Sequence, residues 1–303
     1  MEILEHYREN PSSLDADELT DVADYYSYIG KEDEAQAAVQ LAFRMFPDAI
    51  APLSFMAHDA LTARDIEKAK SLVERIPDKS DVEYKLLTVE LHVVQGQIDQ
   101  AENLLNQLLA EVDDDDRLDD LVIDAANIYL SYNLADKAEK WLDRDKDCPL
   151  AEYKELRAKV LLNKGMYKES IAIFNELIDQ DPYAKKYWNA LATAQFMTGD
   201  YEEAANSSGF TLAIDPDSPE GLFTKGNCLY HMDRYDEALT CYEHYARLVP
   251  DDELGYLNAG TCMVNTGQYE KSIGQFEKAL NAAPPDSDQL PLIYQEMAHA
   301  YCA

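Results

Sequence analysis

Apolar residues recur along this chain with a helical period. In the stretch that opens at Lys185, Trp188, Leu191 and Ala192 fall on one face, the i, i+3, i+4 stripe of an amphipathic helix. Such stretches end at regular intervals. Pro182, Pro216, Pro250 and Pro284 lie 34 residues apart, and each follows an apolar-periodic segment that a proline stops rather than extends. A fixed period of this length predicts a repeat architecture in which each unit is one supersecondary element.

With that proline at position 32, units begin at residues 151, 185, 219 and 253. Position 15 is Gly165, Gly199, Asp233 and Gly267, and position 17 is Tyr167, Tyr201, Tyr235 and Tyr269. Position 20 is Ser170, Ala204, Ala238 and Ser272. Glycine near position 15 predicts a left-handed helix end and a reversal of the chain. A small residue at position 20 predicts close approach of the second helix to the first, with Phe174, Tyr242 or Phe276 one turn later on the same face and Ser208 as the polar exception. Less regular units begin near residues 16, 50, 82 and 119, with Ala35, Ala69, Ala101 and Ala138 at position 20. There Gly30 and Gly96 hold position 15, and Arg64 and Asn133 replace it. These units depart from the pattern near Ile76 to Ser80, at the acidic run Asp113 to Asp116, and around Asp143 to Pro149. The acidic run lacks the glycine and closing glutamate of a calcium loop and is read as a solvated connection.

The stretches WNALATAQFMTGDYEEAA, LFTKGNCLYHMDRYDEALTCYEHY and NAGTCMVNTGQYEKSIGQFEKAL resemble tetratricopeptide repeats. The resemblance implies an all-α fold, a right-handed superhelical solenoid of tandem helix-turn-helix repeats. The expected organisation is a single solenoid over 1–303: an N-terminal capping helix in 1–15, four irregular repeats in 16–149, four regular ones in 150–286, and in 287–303 the first helix of a partial ninth. Leu290, Ile293, Tyr294 and Met297 share a face of that last helix, and no polar tail follows. A chain ending at Ala303 and one continuing beyond it fit this ending equally.

Acidic residues number 59 against 26 basic ones, a formal charge of -33, which repels phosphate backbones and anionic lipid. Nucleic acid and membrane are therefore excluded as expected partners, and no apolar run reaches the ~18 residues of a spanning helix. Only residues 151 to 200 are balanced, with seven acids and seven bases. Five cysteines without a CxxC pair suggest neither a disulfide framework nor a zinc knuckle, and a cytoplasmic location is expected. Cys228 and Cys262 both hold position 10 and read as small buried residues. The six histidines are scattered and read as ordinary packed or surface residues. No phosphate loop, nucleophile elbow or metalloprotease motif occurs, so no enzyme activity, metal or cofactor is implied.

In the resembling family, first helices line a concave wall and positions 2, 5, 9 and 12 face the groove. Carried onto this chain, the frame gives the acidic and polar wall Asp17, Thr20, Asp24 and Ser27 in the first unit. In the sixth to eighth units it selects Lys186, Asn189, Thr193, Phe196, Phe223, Asn227, Tyr230, Leu257 and Thr261 as peptide-binding candidates. Asparagine amides read a peptide backbone and aromatic rings anchor side chains. Position 5 is Glu155, Asn189 or Phe223 and never lysine, which excludes the family's clamp for chaperone tails. The expected function is a non-catalytic scaffold that holds a protein or an extended peptide. The alternatives are the recognition arm of a longer enzyme or regulator, and self-association through the terminal helices.

Overall fold

The computed structural model describes residues 2–146 and 148–303. Asp147, in the irregular stretch before Pro149, lies outside them. The described residues form two compact units, 1–148 and 149–303.

The first unit opens with α1 (Glu2–Glu9) and continues through four hairpins: α2 (Ala16–Tyr28) with α3 (Glu32–Met45), α4 (Ile50–Thr62) with α5 (Ile66–Arg75), α6 (Val82–Val94) with α7 (Ile98–Glu111), and α8 (Asp115–Ser131) with α9 (Ala135–Leu142). The second holds α10 (Ala151–Asn163) with α11 (Tyr167–Gln180), α12 (Lys185–Thr198) with α13 (Tyr201–Ile214), α14 (Pro219–His231) with α15 (Tyr235–Leu248), α16 (Glu253–Asn265) with α17 (Tyr269–Ala282), and then α18 (Leu290–Cys302). The fold is all-α, a solenoid of helical hairpins, and no helix among the described residues is long and apolar enough to cross a membrane.

Position 15 explains the reversals. Gly30, Gly96, Gly165, Gly199 and Gly267 have φ between 72° and 85°, and Arg64, Asn133 and Asp233 take the same left-handed turn at 58° or 59°. In all eight hairpins the N–H of position 16 donates to the carbonyl of position 11, as in Lys31 to Tyr26 at 2.8 Å and Gln268 to Met263 at 2.7 Å. That bond is the signature of a Schellman ending, and it forms whether or not glycine is present. The strain falls hardest on Arg64, since Asn and Asp tolerate the left-handed region better. Arg64→Gly is expected to raise stability by about 0.5–1 kcal/mol in urea unfolding, while the same change at an αR surface position lowers it.

Position 20 sits where the two helices of a hairpin touch. Ala35, Ala69, Ala101, Ala138, Ser170, Ala204, Ala238 and Ser272 are all fully buried. The polar exception Ser208 is buried as well, its hydroxyl donating to the Ala204 carbonyl at 2.9 Å. Cys228 and Cys262 are fully buried, and burial pushes each thiol up to about 12, so neither is a reactive thiolate.

The irregular sequence of the first unit shows in its packing. The α5 helix has 10 residues and α9 has 8, against 14 in α11, α13, α15 and α17. The acidic run is not all loop: Asp114 caps α8 by accepting from the Arg117 N–H at 2.8 Å, and Asp115 and Asp116 form its first turn. Carboxylates at a helix N-terminus meet the positive end of the dipole, which decides the matter for helix. In this unit α2, α4, α6 and α8 pack on one another in succession, whereas in the second unit each second helix packs broadly on the next first helix. Groove-facing side chains of successive hairpins are thereby brought together in the first unit.

Candidate functional site

The predicted residues all lie in the second unit, and the structure divides them. Asn227, Tyr230, Leu257 and Thr261 line one cavity of about 300 Å³, walled also by Asn258 and by Leu292 and Glu296 of α18. The Tyr242 hydroxyl donates to Asn227 Oδ1 at 2.7 Å, so what Asn227 offers the cavity is its pair of N–H donors. Asn265 Nδ2 donates to the Tyr230 hydroxyl at 3.3 Å, which holds that ring at the rim. Thr261 donates to the Leu257 carbonyl at 3.0 Å and keeps its hydroxyl oxygen as an acceptor.

Leu257 sits deeper in this cavity than the other three. It is only 2% exposed and packs with Phe276 and Ile293, because α18 closes over it; it is a floor of the cavity and not an exposed anchor. The α12 residues are not in this cavity. Lys186 Nζ lies 2.6 Å from Glu155 Oε2, and Lys159 Nζ lies 2.6 Å from the other oxygen, so the lysine is committed to a buried carboxylate. The Thr193 hydroxyl donates to the Asn189 carbonyl at 2.9 Å within α12. Phe196 joins an aromatic cluster with Tyr201 and His231, ring centroids 5.4 Å from each, and His231 also borders the cavity. Phe223 is half-buried against Tyr245 and Tyr242, at 5.1 and 6.0 Å, and works as packing.

Larger concavities lie in the first unit. Three adjoining ones, of about 540, 720 and 840 Å³, share His58. Position 9 of the four hairpins reads Asp24, His58, Glu90, Asn127. His58 Nδ1 lies 2.9 Å from Glu90 Oε2 and Nε2 lies 3.7 Å from Glu83 Oε1. The Tyr132 hydroxyl donates to Glu90 Oε1 at 3.0 Å, and the Ser54 hydroxyl donates to Glu83. Treating the histidines one by one misses this: the signal was an acid, histidine, acid sequence at a single register position.

Among the described residues, one group brings potential metal ligands together. Asp119, Asp145 and Cys148 have ligand atoms within 4.8 Å of one another. Acidic surfaces show such groupings without an ion, and nothing else around these three points to a metal.

Comparison with known proteins follows the same division. The family model described as anaphase-promoting complex, cyclosome, subunit 3 matches residues 163–245, and a tetratricopeptide repeat model matches residues 223–288. No curated protein sequence matches the chain. Among solved structures, MamA 41-end from Desulfovibrio magneticus RS-1 is 14% identical with a TM-score of 0.50, covering 55% of this chain and 94% of that one. A MamA RS-1 double mutant gives 13% and 0.50 over the same shares. YrrB, described as a TPR protein with an unusual peptide-binding site, is 21% identical with a TM-score of 0.48, covering 60% of this chain and 91% of that one. Helical hairpins in this register, each reversed by the same left-handed turn and matched by the repeat's own family model in the second unit, make this chain a tetratricopeptide-repeat protein.

Proposed function

We propose that the chain is a non-catalytic scaffold and that the cavity between α14, α16 and α18 takes an extended segment of a protein partner. The observation that carries this reading is the convergence of backbone-reading groups there. Asn227 presents N–H donors, Thr261 an acceptor and Asn258 an amide, over an apolar floor of Leu257 and beside Leu292. A peptide in extended form exposes alternating N–H and C=O groups, which amides satisfy in pairs. Glu296 at the edge favours a segment with a cationic side chain.

Asn258 and Thr261 are neither fully buried nor part of the packed core, so arginine at each fills the cavity without emptying the core. Asn258→Arg with Thr261→Arg is expected to reduce capture from a displayed random-peptide library at least tenfold, with an unchanged circular dichroism spectrum and melting temperature. Capture at parental levels by the folded variant overturns this assignment.

A further inference from the structure

We propose that His58 is a protonated clip between the second and third hairpins of the first unit, so that the packing of α4 on α6 is set by pH. The geometry is that of a cation held between two carboxylates on one neighbouring helix. Nδ1 is 2.9 Å from Glu90 and Nε2 is 3.7 Å from Glu83, and the two glutamates lie seven residues apart on α6, two turns along the same face. Glu90 is 8% exposed, and apart from His58 it has as its partner the hydroxyl of Tyr132, the residue that ends α8. A buried carboxylate served by one neutral donor is costly, which is why the charge state of His58 matters to the interface.

The surroundings of His58 reinforce the positive form from every packed element. Asp17, Asp21 and Asp24 of α2 line the same groove, and Glu32 of α3 borders it. Asp59 is its neighbour on α4, and Asp81 precedes α6. Arg64, in the turn after α4, is the one cation that shares these concavities among the described residues. Tyr132 supplies a neutral donor, its hydroxyl held protonated by burial and by Glu90. Burial and Asp21 raise the Asp24 carboxyl, whereas the nearby His58 and the Ser54 hydroxyl hold Glu83 below its ordinary value.

Burial works against the imidazolium, and the glutamates outweigh it and raise its pKa to about 10. The side chain is 51% exposed, so water and salt screen the pairs and the midpoint falls between the ordinary 6.5 and that value. The folded pKa is the higher one. The clip's contribution is therefore complete below pH 6.5 and is lost as the pH rises through the folded midpoint.

The test is an NMR titration of the imidazole Cε1–H signals of the full chain from about pH 5.5 to 10.5. The His58 signal is identified by its disappearance in His58→Gln. A midpoint at least one pH unit above 6.5, lowered by at least half a unit in Glu90→Gln, is the expected result. In urea unfolding, the stability gap between the parent and His58→Gln is expected to shrink from pH 7 to pH 10. An ordinary midpoint near 6.5 in the parent chain overturns the proposal whether or not either variant folds, and so does a raised midpoint that Glu90→Gln leaves in place.

Discussion

Gly260→Ala is expected to destabilise the second unit by about 1–3 kcal/mol, although alanine is the better helix former. A Cβ at residue 260 would stand 2.5 Å from Cε1 and 2.8 Å from Cδ1 of Phe276. Phe276 is fully buried and packs with Leu257 and Ile293, so its ring has no room to retreat. The same constraint recurs one repeat earlier, where a Cβ at Gly226 would meet Tyr242 Cε1 at 2.8 Å. A repeat that puts a ring at position 24 does not always need glycine at position 8, since Ala158 and Phe174 coexist, both fully buried. Ring placement, and not ring presence, sets the limit. Phe276→Leu in the Gly260→Ala background should recover part of the loss, giving a coupling energy in a double-mutant cycle. A urea midpoint for Gly260→Ala equal to that of the parent would sink the packing argument.

The ion-paired carboxylate on α10 gives the second large effect. Glu155 is 6% exposed, and its two oxygens take Lys159 and Lys186, whose side chains are 44% and 58% exposed. Either lysine alone is half in water, so Lys159→Met or Lys186→Met is expected to cost under about 1 kcal/mol. Removing both strands the carboxylate, and the double variant should lose about 3 kcal/mol, well beyond the sum of the singles. The pH dependence has a definite sign. Burial raises the Glu155 pKa, but the two lysines more than offset it, and the carboxyl sits below its ordinary value. Its contribution is thus present above the ordinary carboxylate range and is lost as the pH falls through the lowered folded value. Glu155→Gln should flatten the difference between stability at pH 7 and at pH 3 relative to the parent, measured by thermal unfolding. Additive losses in the two lysine variants would contradict a shared buried partner.

The hairpins were legible because their determinants are local. A turn residue at position 15, a small residue at position 20 and a proline at position 32 each act within a few residues, and the period repeats them in register. The repeat frame placed two turns at Arg64 and Asn133 without a glycine, and there too the hydrogen bond from position 16 to position 11 accompanies the left-handed geometry. The site was less legible because groove faces depend on how one hairpin leans on the next. Leu257 is buried against Phe276 and against Ile293 of α18, so it meets the cavity as a floor, a depth that its position in the repeat does not announce. Lys186 is paired with Glu155, a residue on another helix whose burial no local pattern announces. The groove around His58 was missed for a related reason. The contacts of α2 with α4, α4 with α6 and α6 with α8 join residues far apart in sequence, and they carry Asp24, His58, Glu90 and Tyr132 together.

That chain of contacts sets a limit on how the first unit tolerates rearrangement. In the second unit the hairpins of residues 185–218 and 219–252 are equal in length and begin and end alike, so duplicating one should graft into the array with its junctions intact. Cutting the third hairpin out of the first unit has no such neutrality. It removes both glutamates at once, so that His58 and Tyr132, which meet only through Glu90, are left facing each other with no common acceptor.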